Sequence, residues 1–108
     1  MTARLTARVL VSAIIRKAQV EGGGATVLAK GDEQAGAVLI AWVDRGVHRA
    51  LLERLLGNDG TYAWQRVGSA DSPDAYLVRR RRADPDLWVV ELDIPDGERF
   101  AAEITGIG

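Results

Sequence analysis

Apolar and polar positions alternate at the start of the chain. Leu5, Ala7, Val9 and Val11 interleave with Thr6, Arg8 and Leu10, a period of two that predicts a short strand over 5–11. Ser12 then stands where a helix N-cap is wanted. Good helix formers fill 13–21, with Ile14 and Ala18 one turn apart. Gly22-Gly23-Gly24 ends that helix, because glycine accepts the left-handed conformation of a helix C-terminus. A strand over 25–30 follows, then a polar turn bracketed by glycines, GDEQAG, over 31–36.

The run GAVLIAWV, 36–43, is apolar on both faces and predicts a central strand. Asp44-Arg45-Gly46 reads as a hairpin turn. Residues 47–56, VHRALLERLL, fit two patterns. Val47, Leu51 and Leu55 stack at helical spacing, whereas the turns on either side favour a strand. Asn58-Asp59-Gly60 is a turn, and 61–67 is rich in strand formers. Ser72 as cap, Pro73 in the first turn and Asp74 beside the helix dipole predict a helix running to about Arg82. Pro85 holds Asp84 out of the helical region and so stops it. LWVVELDI, 87–94, is the last strand, and Asp96-Gly97 a turn, with the tail from about 97 loosely packed. With 47–56 as a strand the order is β-α-β-β-β-β-α-β. The expected fold class is α+β: a single domain over 1–108, its sheet mostly antiparallel and its two helices on one face.

Composition narrows the functions. A chain of 108 residues suits one domain, and 47% hydrophobic with 27% charged residues is ordinary for a globular protein. A net charge of -1 supplies no general pull toward nucleic acid or acidic membranes. No cysteine is present, which removes disulfides, thiolate metal sites and thiol nucleophiles and fits a cytoplasmic setting. His48 is the single histidine, so no histidine-rich metal cluster exists. No cofactor is expected. The basic N-terminus carries Arg16-Lys17 directly after its apolar run, the wrong order for an export signal, and the run is too short to span a bilayer.

Candidate chemistry concentrates around RRRRADPDLWVVE, 79–91. Successive helical residues are rotated by about 100°, so four arginines fan around the axis instead of making one patch. Cations at a helix C-terminus suit the dipole, and acids abound from 84 to 108. The nucleic-acid reading of Arg79, Arg81 and Arg82, joined by Arg4 and Arg8, has no aromatic-rich RNA-binding motif beside it. Asp84-Pro85-Asp86 resembles a carboxylate pair but is also how a chain leaves a helix. Glu91 faces with Val89 and Asp93 in strand alternation. GDEQAG and the glycine triplet match no phosphate-binding pattern. Trp42, Trp64 and Trp88 fall on three strands, as core or interface anchors do.

VLVSAIIRKA, GDEQAGAVLI, the Trp64 strand and ADPDLWVVELD, in this order, are similar to a family of small bacterial proteins called domain of unknown function 1491. The resemblance covers nearly the whole chain. It implies an α+β fold, a hairpin strand for 47–56 and no established activity, so no catalytic residue carries over. Combined with it, Arg16, Asp32, Arg80, Asp86 and Glu91 form a constellation that would make a buried ion network or a ligand pocket if they converge. The residues favour a non-enzymatic interaction or accessory protein, with an unidentified protein partner or a homodimer through sheet or tryptophan surface, and no membrane. Alternatives are a small-molecule or phosphate-binding domain, an enzyme included, using Arg16, Asp32, Arg80 and Glu91, and a weak nucleic-acid binder.

Overall fold

The computed structural model describes residues 6–69 and 72–105. The chain order is α1 (Ala7–Val20), β1 (Gly24–Ala29), β2 (Val38–Asp44), β3 (Val47–Leu56), β4 (Tyr62–Val67), α2 (Pro73–Ala83), β5 (Trp88–Asp93) and α3 (Gly97–Thr105). The five strands form one sheet in the order β1-β5-β2-β3-β4. Three of its four pairings are antiparallel, and β2 with β5 is parallel. The radius of gyration, 13.1 Å, is that of one compact domain.

The first element overturns the strand expected at 5–11. Thr6 is extended, and its hydroxyl accepts the Val9 N–H, which starts α1 at Ala7. Ala7, Val11, Ile14 and Ala18 are the buried positions, a helical stripe, and Ser12 is exposed inside the helix. Ala7 and Val11 satisfy both periods, which is why the alternation misleads. Residues 47–56 are a strand, β3, antiparallel to β2 and β4 on either side. Ser72 caps α2 through the Ala75 N–H with Pro73 in its first turn.

β2 lies mid-sheet and is buried from Val38 to Val43. β4 is an edge strand while β5 inserts between β1 and β2, so the chain must cross the sheet between them, and α2 is that crossing. Helices therefore cover both faces, not one. On the first face α1 and α3 pack over Val38, Ile40, Trp42, Leu52, Val90 and Leu92. On the second, Tyr76 and Leu77 of α2 pack over Leu39, Ala41, Leu51 and Val89.

Residues 97–105 are not loose. Asp96 accepts the Arg99 N–H and begins α3, whose Phe100, Ala101 and Ile104 are buried in the first core. Lys17 and Arg99 link α1 and α3 through Glu21 and Glu103 at the surface.

Candidate functional site

The glycine turn and the Asp-Pro-Asp-Leu-Trp segment meet as one unit. Asp32 donates its N–H to the Asp86 carbonyl at 3.0 Å, and the Trp88 indole donates to the Asp32 carbonyl at 2.7 Å. Trp88 N–H also donates to the Ala37 carbonyl, which starts the parallel β2–β5 ladder. The Asp32 carboxylate accepts from Gln34 and Ala35, closing the turn. The carbonyls of Glu33 and Gln34 then accept the Arg8 and Ala7 N–H groups, which a helix start leaves without internal partners. Six residues thus cap α1 and seat β5 at once.

The glycines are required by proximity. A Cβ on Gly31 would lie 2.0 Å from the Asp86 carbonyl oxygen, and one on Gly36 would lie 2.4 Å from the same atom. Gly31→Ala is therefore expected to cost about 1–3 kcal/mol, at the upper end because backbone must move. Gly24→Ala, which meets open space, should change stability little. Urea unfolding of the pair checks this, and equal midpoints would remove the close-packing account.

The four arginines disperse, each to a different environment. Arg79 lies over the Tyr76 ring at 5.3 Å. Arg80 forks onto Glu53, with Nη2 to Oε1 at 2.6 Å, and the Tyr76 hydroxyl donates to Glu53 Oε2 at 2.8 Å. Arg81 donates to the carbonyls of Pro85 and Leu87 and so pins the chain after the helix. Arg82 is exposed, with no carboxylate at ion-pair distance among the described residues.

Glu53 is the functional-looking group that the sequence concealed. It is 7% exposed on the central part of β3, beneath α2. Burial pushes its carboxyl up, but the hydrogen bonds from Arg80 and Tyr76, with the charge of Arg80, outweigh that and hold it below the ordinary value. Its partners lie 23 and 27 residues away, so no local spacing announces the trio.

The expected constellation does not form one site. Asp32 and Asp86 meet, through backbone atoms. Arg16 is exposed on α1, on the opposite face of the sheet from Arg80, which Glu53 occupies. Glu91 lies across from Thr26 on β1 and lines a polar cleft of about 520 Å³ with Asp93, Asp44 and Arg45. Of the basic residues named with the nucleic-acid reading, Arg8 is exposed on α1, and Arg4 lies outside the described residues. Among the described residues no group of three or more acidic or histidine side chains is placed to hold a metal ion. No helix among them is long and apolar enough to cross a membrane.

A second concavity, about 450 Å³, lies between α2 and the edge strand β1. Leu28, Ala29, Leu77, Val78, Pro85 and Val89 make its apolar floor and walls, and Arg81 and Arg82 stand at its rim. Leu28 is the extra residue of a β-bulge, since Val27 pairs Val90 and Ala29 pairs Val89. Leu28 and Val78 are each about half exposed, at 52% and 54%.

A mixed five-stranded sheet with helices on both faces and an apolar groove left open beside one of them defines a small α+β domain. The chain belongs to the family described as Protein of unknown function (DUF1491), whose model matches residues 5–102. It is 42% identical to a DUF1491 family protein from Caulobacter crescentus CB15 seen in a crystal structure, covering 90% of this chain and 94% of that one with a TM-score of 0.76. An NMR structure of a DUF1491 family protein from the same organism matches at 39% identity, 93% and 94% coverage and a TM-score of 0.76. The solution structure of protein Atu0922 from A. tumefaciens matches at 30% identity, 87% and 89% coverage and a TM-score of 0.72. No functionally curated protein matches the chain.

Proposed function

We propose that the protein is a bacterial, cytoplasmic, non-enzymatic interaction domain that offers the groove between β1 and α2 to a protein partner. The observation that supports this is where unspent surface lies. Asp32, Asp86, Glu53, Arg80 and Arg81 are committed to bonds that hold the fold, whereas Leu28 and Val78 stand half exposed over an apolar floor. Contiguous apolar surface rimmed by charge is what partner sites look like. The bacterial relatives and the cysteine-free chain support the setting. A homodimer through the same surface is the self-association form of this reading.

A photo-crosslinking residue placed at Val78 and, separately, at Val20 on the α1 side tests it in the native cell. Adducts at 78 that are missing at 20 are expected, and an adduct of twice the chain's mass would identify a homodimer. Equal or no adducts at the two positions would overturn the reading.

A further inference from the structure

Among the described residues β4 is an open edge of the sheet, with β3 its one neighbour. The turn before it fixes which of its backbone groups face outward. The Gly57 N–H donates to the Thr61 carbonyl at 2.8 Å, so these two residues form a hydrogen-bonded pair. Such pairs alternate with unbonded ones along an antiparallel ladder. Leu55↔Ala63, Glu53↔Gln65 and Leu51↔Val67 are therefore the bonded pairs of β3 with β4. The N–H and C=O groups of Tyr62, Trp64 and Arg66 point away from the sheet.

The two edges of the sheet are not alike. β1 is interrupted by the bulge at Leu28, a device that blunts edge pairing. The register of β4 with β3 is unbroken, and its sequence, YAWQRV, holds no proline, glycine or lysine. Arg66 is the one charged residue of β4, and it does not guard the edge. It pairs with Glu98 of α3 at 2.7 Å and lies over the Trp42 ring of β2, so it leans inward across β3. Its charge is answered within the chain, and the edge is left neutral.

We infer that β4 is a self-association edge, on which a second copy of this chain lays its own β4 antiparallel. A twofold axis normal to the sheet makes the interface self-complementary and keeps each face continuous across it. Facing residues then lie on one face of the joined sheet. Of the registers that match outward groups to outward groups, the longest is centred on Trp64. It sets Trp64 against Trp64 and Tyr62 against Arg66, and each such pair exchanges both N–H···O bonds. The side chains suit this register. Ala63 falls opposite Gln65, small against long, no like charges face each other, and aromatic rings meet at the axis. Closure favours a second copy over a foreign strand. A foreign strand would present a new open edge, whereas the twofold axis consumes both β4 edges and leaves the bulged β1 edges outside. β4 lies at the opposite end of the sheet from the groove between β1 and α2, so this inference stands apart from the reading above.

The contact is one strand wide, at the small end of interface sizes, so the dimer is weak and concentration sets its population. Sedimentation and amide hydrogen exchange of the full chain, from about 50 μM to about 1 mM, test it. At the low end the Tyr62, Trp64 and Arg66 amides should exchange as open groups, while those of Ala63, Gln65 and Val67 stay protected. At the high end the mass should approach twice that of the chain, and the outward amides should slow about tenfold. Tyr62→Pro removes an outward N–H and no bond to β3, which an edge strand accepts. It should abolish both changes, with amide shifts away from β4 unaltered. Val78→Asp, in the groove, should leave the dimer intact. A monomer at every concentration would overturn the inference. So would a dimer that Tyr62→Pro spares or Val78→Asp dissolves, or outward amides already protected in the monomer. A photo-crosslinking residue at Gln65 tests the occupant in cells. Adducts of other masses with none at twice the chain's mass would assign the edge to a foreign strand and overturn self-pairing. Crosslinks at Val78 report on the groove whichever result is found.

Discussion

Arg80→Ala is expected to destabilise the domain by about 3 kcal/mol, the lower end of the range for removing one partner of a buried ion pair. The lower end applies because the Arg80 side chain keeps 24% of its exposure while that of Glu53 keeps 9%. The loss is not the worth of one contact. It is the cost of leaving the Glu53 carboxylate beneath α2 with only the Tyr76 hydroxyl to answer it. Arg82→Ala, two residues on and exposed, should stay within about 0.5 kcal/mol. Urea unfolding of the two variants decides the matter, and equal destabilisation would refute the clamp. The dependence on pH gives a second check. In the wild type the Glu53 carboxyl is held below its ordinary value of 4.5. Its contribution is therefore complete above that value and fades as pH falls through the folded one. In Arg80→Ala burial dominates and pushes the carboxyl up, so the penalty is relieved as pH falls. The two stability curves should converge in acid and part toward neutral pH.

The same residues show how far the sequence could be read. Ser72-Pro73-Asp74 announced the start of α2, and Pro85 its end, because caps and breakers act within a few residues. The apolar run at 36–43 announced a central strand, since a segment apolar on both faces has nowhere else to lie. The first element failed for an identifiable reason. Over seven residues a period of two and a period of 3.6 share Ala7 and Val11, and Ser12 offered a plausible but false cap one turn and a half after the true one at Thr6. α3 was misjudged because Asp96-Gly97 reads equally as a turn and as a helix entry. The spacing of Phe100, Ala101 and Ile104, an apolar stripe on one helical face, was the signal that could have decided it.

The side-chain constellation was less legible than the elements, and physics explains that too. Helical rotation alone predicted that four successive arginines would part, and they do, onto Tyr76, Glu53, two carbonyls and solvent. Which acid would receive Arg80 depended on the crossing of α2 over β3, a tertiary fact with no local trace. Asp86 and Glu91 were nearer in sequence, but Asp86 bonds through its backbone and Glu91 lines the cleft beside Thr26, Asp44 and Arg45. The motifs that mark the family, around Gly31 and Trp88, turned out to be a joint. At that joint a side chain on Gly31 or Gly36 would collide with the Asp86 carbonyl.

Phe100→Ala should cost about 3–5 kcal/mol, the range for truncating a large buried aromatic side chain. Phe100 is fully buried with Ile14 and Ala18 of α1 and with Leu92 of β5 in one core, so its removal leaves a cavity between layers instead of a surface dimple. A domain of this size is stable by about 5–15 kcal/mol, so the loss is a large share of the total. Val20→Ala, at a site 81% exposed, is the control and should stay within about 0.5 kcal/mol. Salt separates the two forces that hold α3. Lys17, Glu21, Arg99 and Glu103 join α1 to α3 through exposed ion pairs, which screening weakens, whereas burial of Phe100 is not screened. Hydrogen exchange at the α3 amides should therefore change little with added salt in the wild type. It should speed sharply in Phe100→Ala even at low salt. Fast α3 exchange in the wild type, together with a silent Phe100→Ala, would mean that the tail beyond Pro95 is as loose as its turn-like sequence implies.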